Sequence, residues 1–151
     1  MHRLQKMLLL AAVTLAAPHH LSAQLPIPDH VVVTPAELHW TSYYAGGEQA
    51  ILFGDPSRPG PYVLRVRLPA GLHIQPHYHL DGRIVQVMSG TMYFALGASG
   101  DTTKLRAIPP GSMWTEPAHM AHYAWTGHNA VVLQVVGTGP TATRPADPSE
   151  P

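Results

Sequence analysis

Apolar residues recur at every second position over short runs of this chain, and turn-forming residues separate the runs. Tyr62-Val-Leu-Arg-Val-Arg-Leu68 shows the pattern best. Tyr62, Leu64, Val66 and Leu68 share one face of a strand, and Arg65 and Arg67 occupy a solvated opposite face. The same reading predicts strands over 39–44, 49–53, 84–88, 91–96, 102–108, 113–116, 122–126 and 131–136, with an edge strand at Val31-Val32-Val33. His77 and His79 are expected near the end of a further strand. Asp81-Gly82 reads as the tight turn of a hairpin leading into Ile84–Met88. Pro35 to Leu38 predicts one helical turn, with Thr34 as its cap and Pro35 at its first position. Three prolines and two glycines make Gly54 to Pro61 a rigid loop, and the proline-rich stretch from Thr138 reads as a loose tail. No long window holds a 3.6-residue period. Roughly ten short strands between turn signals predict an all-β sandwich or barrel.

Composition narrows the function more than the fold. A chain of 151 residues with 45% apolar content supports one domain with a sizeable core. Charged residues are only 12%, and nine cationic side chains balance nine acidic ones, so no basic patch for nucleic acid or acidic membranes is expected. Cysteine is absent, which excludes disulfides and thiolate chemistry. His2, Arg3 and Lys6 precede an apolar run from Met7 to Ala17, and Leu21-Ser22-Ala23 offers small residues before Gln24. Residues 1–23 therefore read as a secretory signal peptide, which predicts a secreted or periplasmic mature chain. Its removal would take His2, His19 and His20 out of any site, and no later apolar run is long enough to span a membrane.

Eleven histidines remain the unusual count. His77 and His79 are two apart, so on a strand both imidazoles face one way. Two such rings hold a divalent transition metal when more ligands arrive from elsewhere. Alone, such a pair is more often an ordinary pair of strand residues than a ligand pair. Pro76 is expected to interrupt the strand, so His73 and Gln75 are not read as ligands. His119 reads as a turn residue, and His30, His39 and His128 as surface residues. Tyr93 and Trp125 are candidates to line a pocket, although aromatics in a small barrel more often fill its core. No phosphate-cradling glycine loop and no Ser-His-Asp order is visible.

Gly71-x5-His77-x-His79-x3-Arg83-x6-Gly90 resembles the first motif of the cupin superfamily: a Gly, five residues, His-x-His, three or four residues, Glu, six residues, Gly. Pro117-Ala-His-Met-Ala-His122 resembles the second motif, and 26 residues separate the two. Gly54 to Tyr62, Leu68 to Gly71, Val87 to Thr91 and Gly137 to Pro140 are similar to small, often secreted, single-domain bacterial cupins. The resemblance covers roughly residues 36–140, with a lead-in over 24–35 and a flexible tail over 141–151. It implies a double-stranded β-helix, or jelly roll. It also implies a metal (iron, zinc, nickel, copper or manganese) held by His77, His79 and His122. The usual Glu is replaced by Arg83, which has no lone pair for a metal and stays protonated.

Three readings stay open at that point. A three-histidine site keeps open positions, with Arg83 at its rim binding an anionic substrate group. Alternatively Asp81 substitutes for the carboxylate and Arg83 points out. In the third, the metal is lost and Arg83 serves an anion pocket. The function implied is a small-molecule metalloenzyme, dioxygenase- or isomerase-like. The rival is a non-enzymatic periplasmic ligand- or metal-binding module. A sensory zinc cupin, as in some anti-sigma factors, would need a helical extension that neither end shows. Cupins frequently pair through edge strands, which implies a homodimer.

Overall fold

The computed structural model describes residues 30–147. Chain order gives β1 (Thr41–Ser42), β2 (Glu48–Phe53), β3 (Gly60–Leu68), β4 (His73–His79), β5 (Arg83–Ser89), β6 (Met92–Leu96), β7 (Arg106–Ile108), β8 (Met113–Glu116), β9 (His122–Trp125), β10 (Val131–Gly139) and β11 (Thr143–Pro145). All strand pairs are antiparallel, in one sheet ordered β1-β2-β3-β10-β5-β8 and a second ordered β11-β4-β9-β6-β7. Successive strands alternate between the two sheets from β3 to β6. This is the double-stranded β-helix that the alternating pattern and the motif resemblance predict.

Alternation builds the interior. Tyr62, Leu64, Val66 and Leu68 of β3 point inward, as do Val131, Leu133 and Val135 of β10 and Val85 and Val87 of β5. Met92, Phe94 and Ala124 face them from the second sheet. Each fully buried side chain of this kind contributes about 1.5–3 kcal/mol. Arg65 and Arg67 lie on the outer face, where Arg67 pairs with Glu48 at 2.6 Å and sits 4.2 Å above the Trp40 ring. Gly90, between β5 and β6, has φ +74, and a Cβ there would strike the Ala130 carbonyl. The turn thus requires glycine for both dihedral and space.

Several expectations need correction. The His77–His79 strand and the strand from Arg83 are not a hairpin: β4 belongs to the second sheet and β5 to the first. Leu80-Asp81-Gly82 is a corner between sheets. Its sequence signals a turn, but turn residues do not say whether the flanking strands pair. Pro76 does not end β4, which runs through it. Val31–Val33 forms no strand, and the strand expected over 39–44 shrinks to Thr41–Ser42. The first half of 102–108 is a 3₁₀ turn at Thr102–Lys104, where Asp101 accepts from the Thr103 N–H. The predicted turn at Pro35–Glu37 forms, with Glu37 accepting from the Thr34 N–H at 2.7 Å. Within the expected tail, Thr143–Pro145 instead pairs with His77–His79. The proposed signal peptide and the first half of the lead-in, 24–29, lie outside the described residues.

Candidate metal centre

Two strands bring the three histidines together. Facing pairs between β4 and β9 are Ile74 with Ala124 and His77 with His122, so β4 carries one extra residue at Gln75-Pro76. That bulge resets the alternation. Ile74 faces inward before it, and His77 and His79 face inward after it. His73 faces outward, with its ring stacked 5.3 Å from Trp125. Ring centroids lie 4.3 Å apart for His77 and His122, 4.9 Å for His77 and His79, and 5.1 Å for His79 and His122. One nitrogen from each lies within 4.8 Å of the others.

Hydrogen bonds fix how each ring is used. His77 Nδ1 donates to the Gln75 carbonyl at 2.8 Å, and His122 Nδ1 to the Met120 carbonyl at 3.0 Å. A carbonyl only accepts, so Nδ1 carries the proton in both rings and Nε2 keeps its lone pair. His79 Nδ1 is 3.0 Å from the Thr143 hydroxyl, supplied by β11. Such outward partners orient metal-binding imidazoles. Burial holds His77, His79 and His122 below the ordinary histidine range, His79 at about 2, with Arg83 adding to the effect on His79. The rings are therefore neutral at neutral pH, the form that ligates.

A carboxylate reaches the cluster from a place the sequence reading did not single out. Glu116, 6% exposed, puts Oε2 3.5 Å from His79 Nε2 and 3.7 Å from His122 Nε2. Its other oxygen accepts from Trp114 Nε1 at 3.0 Å. Burial pushes the Glu116 carboxyl up, with Arg83 opposing. Glu116 faces Arg83 across the β5–β8 pair. The signal was present: in the short strand 113–116, Trp114 and Glu116 share a face.

Asp81 does not substitute for the missing ligand. It accepts from the Tyr62 hydroxyl at 2.6 Å, from Thr141 Oγ1, and from Arg83 Nε at 3.3 Å. Arg83 also donates to Thr141 at 2.5 Å, and its side chain is only 11% exposed. So Arg83 points inward with its charge met by Asp81. A Cβ at Gly137 would crowd both the Tyr62 hydroxyl and Asp81, which explains glycine there.

The cluster opens on a cavity of about 640 Å³, the size of many small-molecule sites. Its walls are mostly apolar, among them Leu64, Val66, Val85, Phe94 and Trp114, with Arg83 and Glu116 at the histidine end. Tyr93 and Trp125 are not among the lining residues. Their rings meet at a tilt, 5.2 Å between centroids, and the pairings Phe94–Ala124 and Tyr93–Trp125 put them on the outer face. Since His122 and Ala124 point inward, alternation sends Trp125 out. Phe94 and Trp114 are the aromatic wall instead. His119 is an exposed turn residue with φ +61.

The donor set fits a borderline transition metal. Three neutral imidazoles converge, each oriented from outside, and a carboxylate is adjacent. With such an ion bound at His77, His79 and His122, the site would polarise an oxygen of a ligand lying in the apolar cavity.

A family model described as "ChrR Cupin-like domain" matches residues 28–142. No curated protein sequence matches the chain closely enough to count as a relative. Among solved structures, the polyketide cyclase RemF from Streptomyces resistomycificus is similar at 17% identity and TM-score 0.66, covering 81% of this chain and 89% of that one. The DMSP lyase DddQ from Ruegeria pomeroyi DSS-3 is similar at 19% identity and TM-score 0.60, covering 91% and 87%. A structure described under the DMSP lyases RdDddP and RnDddQII is similar at 20% identity and TM-score 0.60; this chain covers only 63% of its length. At such identities the likeness concerns the fold.

Proposed function

We propose, for a chain that belongs to the ChrR cupin-like family, that it holds one divalent transition metal at His77, His79 and His122 and acts there on a small organic molecule. The observation that carries this is the shared orientation of the rings. Nδ1 of His77 and of His122 is tied to a carbonyl, so both leave Nε2 lone pairs for one point.

Each part of the chain then has a task. The apolar walls bind the carbon body of the ligand and exclude water. Arg83, held by Asp81 and Thr141 beside the cavity, meets a ligand oxygen with its N–H groups. A bound metal supplies Lewis acidity towards an oxygen of the ligand. Lyase, cyclase and sugar phosphate isomerase appear in the descriptions of structurally similar cupins, and small oxygen-bearing substrates are the class to test first. The leader-like residues 1–23 support action outside the cytoplasm.

The test is elemental analysis of the chain from Gln24, purified without chelator or histidine tag. About one equivalent of a transition metal is expected. His77→Ala and His122→Ala should each lose most of it while remaining folded by circular dichroism. Metal content unchanged in both variants overturns the reading.

A further inference from the structure

The carboxylate that position 83 lacks has a counterpart directly across the sheet. Arg83 of β5 and Glu116 of β8 are facing residues, and both side chains point into the barrel. From the metal-binding reading above, on which this rests, we propose that Glu116 supplies the fourth protein ligand through Oε2.

Geometry carries the inference. Donors bonded to one tetrahedral ion at about 2.0–2.2 Å stand ~3.3–3.6 Å from one another. Glu116 Oε2 stands 3.5 Å from His79 Nε2 and 3.7 Å from His122 Nε2, close to that spacing, and lies farther from His77. A hydrogen bond does not account for the second approach. His122 Nδ1 spends its proton on the Met120 carbonyl, so Nε2 and Oε2 present lone pairs to each other. Two acceptors aimed at one point repel unless a proton or a metal ion lies between them, and 3.7 Å is too long for a shared proton. Glu116 is also fixed in place: Trp114 Nε1 holds Oε1 and leaves Oε2 facing the rings. Meanwhile Asp81 and Thr141 hold the Arg83 guanidinium, so the charge of the nearby cation is met by Asp81 rather than by Glu116. The arrangement offers three histidines and one carboxylate, the carboxylate coming from the strand beside Arg83. A three-histidine, one-carboxylate shell carries a single ligand charge and favours zinc, iron, nickel or manganese over soft copper(I).

The experiment is Co²⁺ titration followed by visible absorption, with Zn²⁺ competition for affinity. The metal-free chain from Gln24, its Glu116→Gln variant and its His122→Ala variant are compared at pH 7.5. Gln keeps the size of the side chain and an acceptor for Trp114; if Glu116→Gln does not fold, Glu116→Asp replaces it. For Glu116→Gln we expect an affinity loss beyond the ~10–100-fold typical of an outer partner, together with a changed cobalt spectrum. For Glu116→Asp the changed spectrum is the supporting result. A variant that keeps the wild-type spectrum overturns the proposal, whether its affinity is unchanged or falls ~10–100-fold. That result, with wild type binding cobalt and His122→Ala failing to, leaves the three-histidine reading standing. Wild type that takes up neither ion overturns both.

Discussion

Arg83 is tolerated beside three imidazoles because Asp81 is there. The two side chains approach at 3.3 Å and are 11% and 4% exposed, and Tyr62 and Thr141 complete the carboxylate's partners. Burial, together with the Asp81 hydrogen bond, pushes the Tyr62 hydroxyl up to about 12, so it stays a donor. Asp81→Asn preserves shape but leaves the guanidinium without a counter-charge. Breaking a buried pair on one side costs about 3–5 kcal/mol. We expect a loss of that size in urea unfolding of the metal-free protein, with weaker metal uptake as the uncompensated cation faces the site. Combining Asp81→Asn with Arg83→Met should recover part of the stability; a double variant no better than the single one would contradict the pairing. Position 83 was legible in the sequence as a departure from the motif. Its remedy was not, because Asp81, Thr141 and Glu116 meet it only through a corner, a C-terminal loop and a neighbouring strand.

Within single strands, the alternation in the sequence already marked which side chains face in. Tyr62 to Leu68 reads correctly from the sequence because nothing disturbs its period. β4 does not, because its extra residue is defined by its partner β9 and cannot be seen in β4 alone. The same limit applies to Trp125, which follows from His122 once the inner face is known. The bulge also makes a test. Pro76→Ala keeps the residue count, so His77 and His79 stay inside and metal uptake is retained. Deleting Pro76 restores strict alternation, which turns either Ile74 or both histidines outward. Metal binding by the deletion variant should be lost, whereas the substitution keeps it. Equal binding by the two, measured by elemental analysis after circular dichroism confirms folding, would show that the bulge does not set the site.

Barrel closure is what turns these local features into one chemical unit. The motif spacing made the jelly roll and the three histidines legible, since each motif by itself is made of residues close in sequence. The end of the chain was misread because the content of 143–145 is polar, and β11 is held by pairing with β4 rather than by burial of its own. The assembled barrel then buries three imidazoles together, and this gives the whole molecule a pH dependence. His77, His79 and His122 all have native values lowered by burial. Below about pH 6.5 the unfolded chain therefore binds more protons than the native one, and stability falls with pH by about 1.4 kcal/mol per unit for each excess proton. Glu116 acts in the opposite sense, because its raised value lets the native state take up a proton first as pH falls. One opposing group does not cancel three. The melting temperature of the metal-free protein should thus drop between pH 7.5 and 5.5. Metal affinity should weaken over the same interval, because protons compete for the Nε2 lone pairs. Replacing His79 by Gln removes one of the three contributions and should flatten the stability profile. A metal-free melting temperature that stays level or rises on acidification would mean that the histidines are charged inside the barrel, a state in which they cannot ligate.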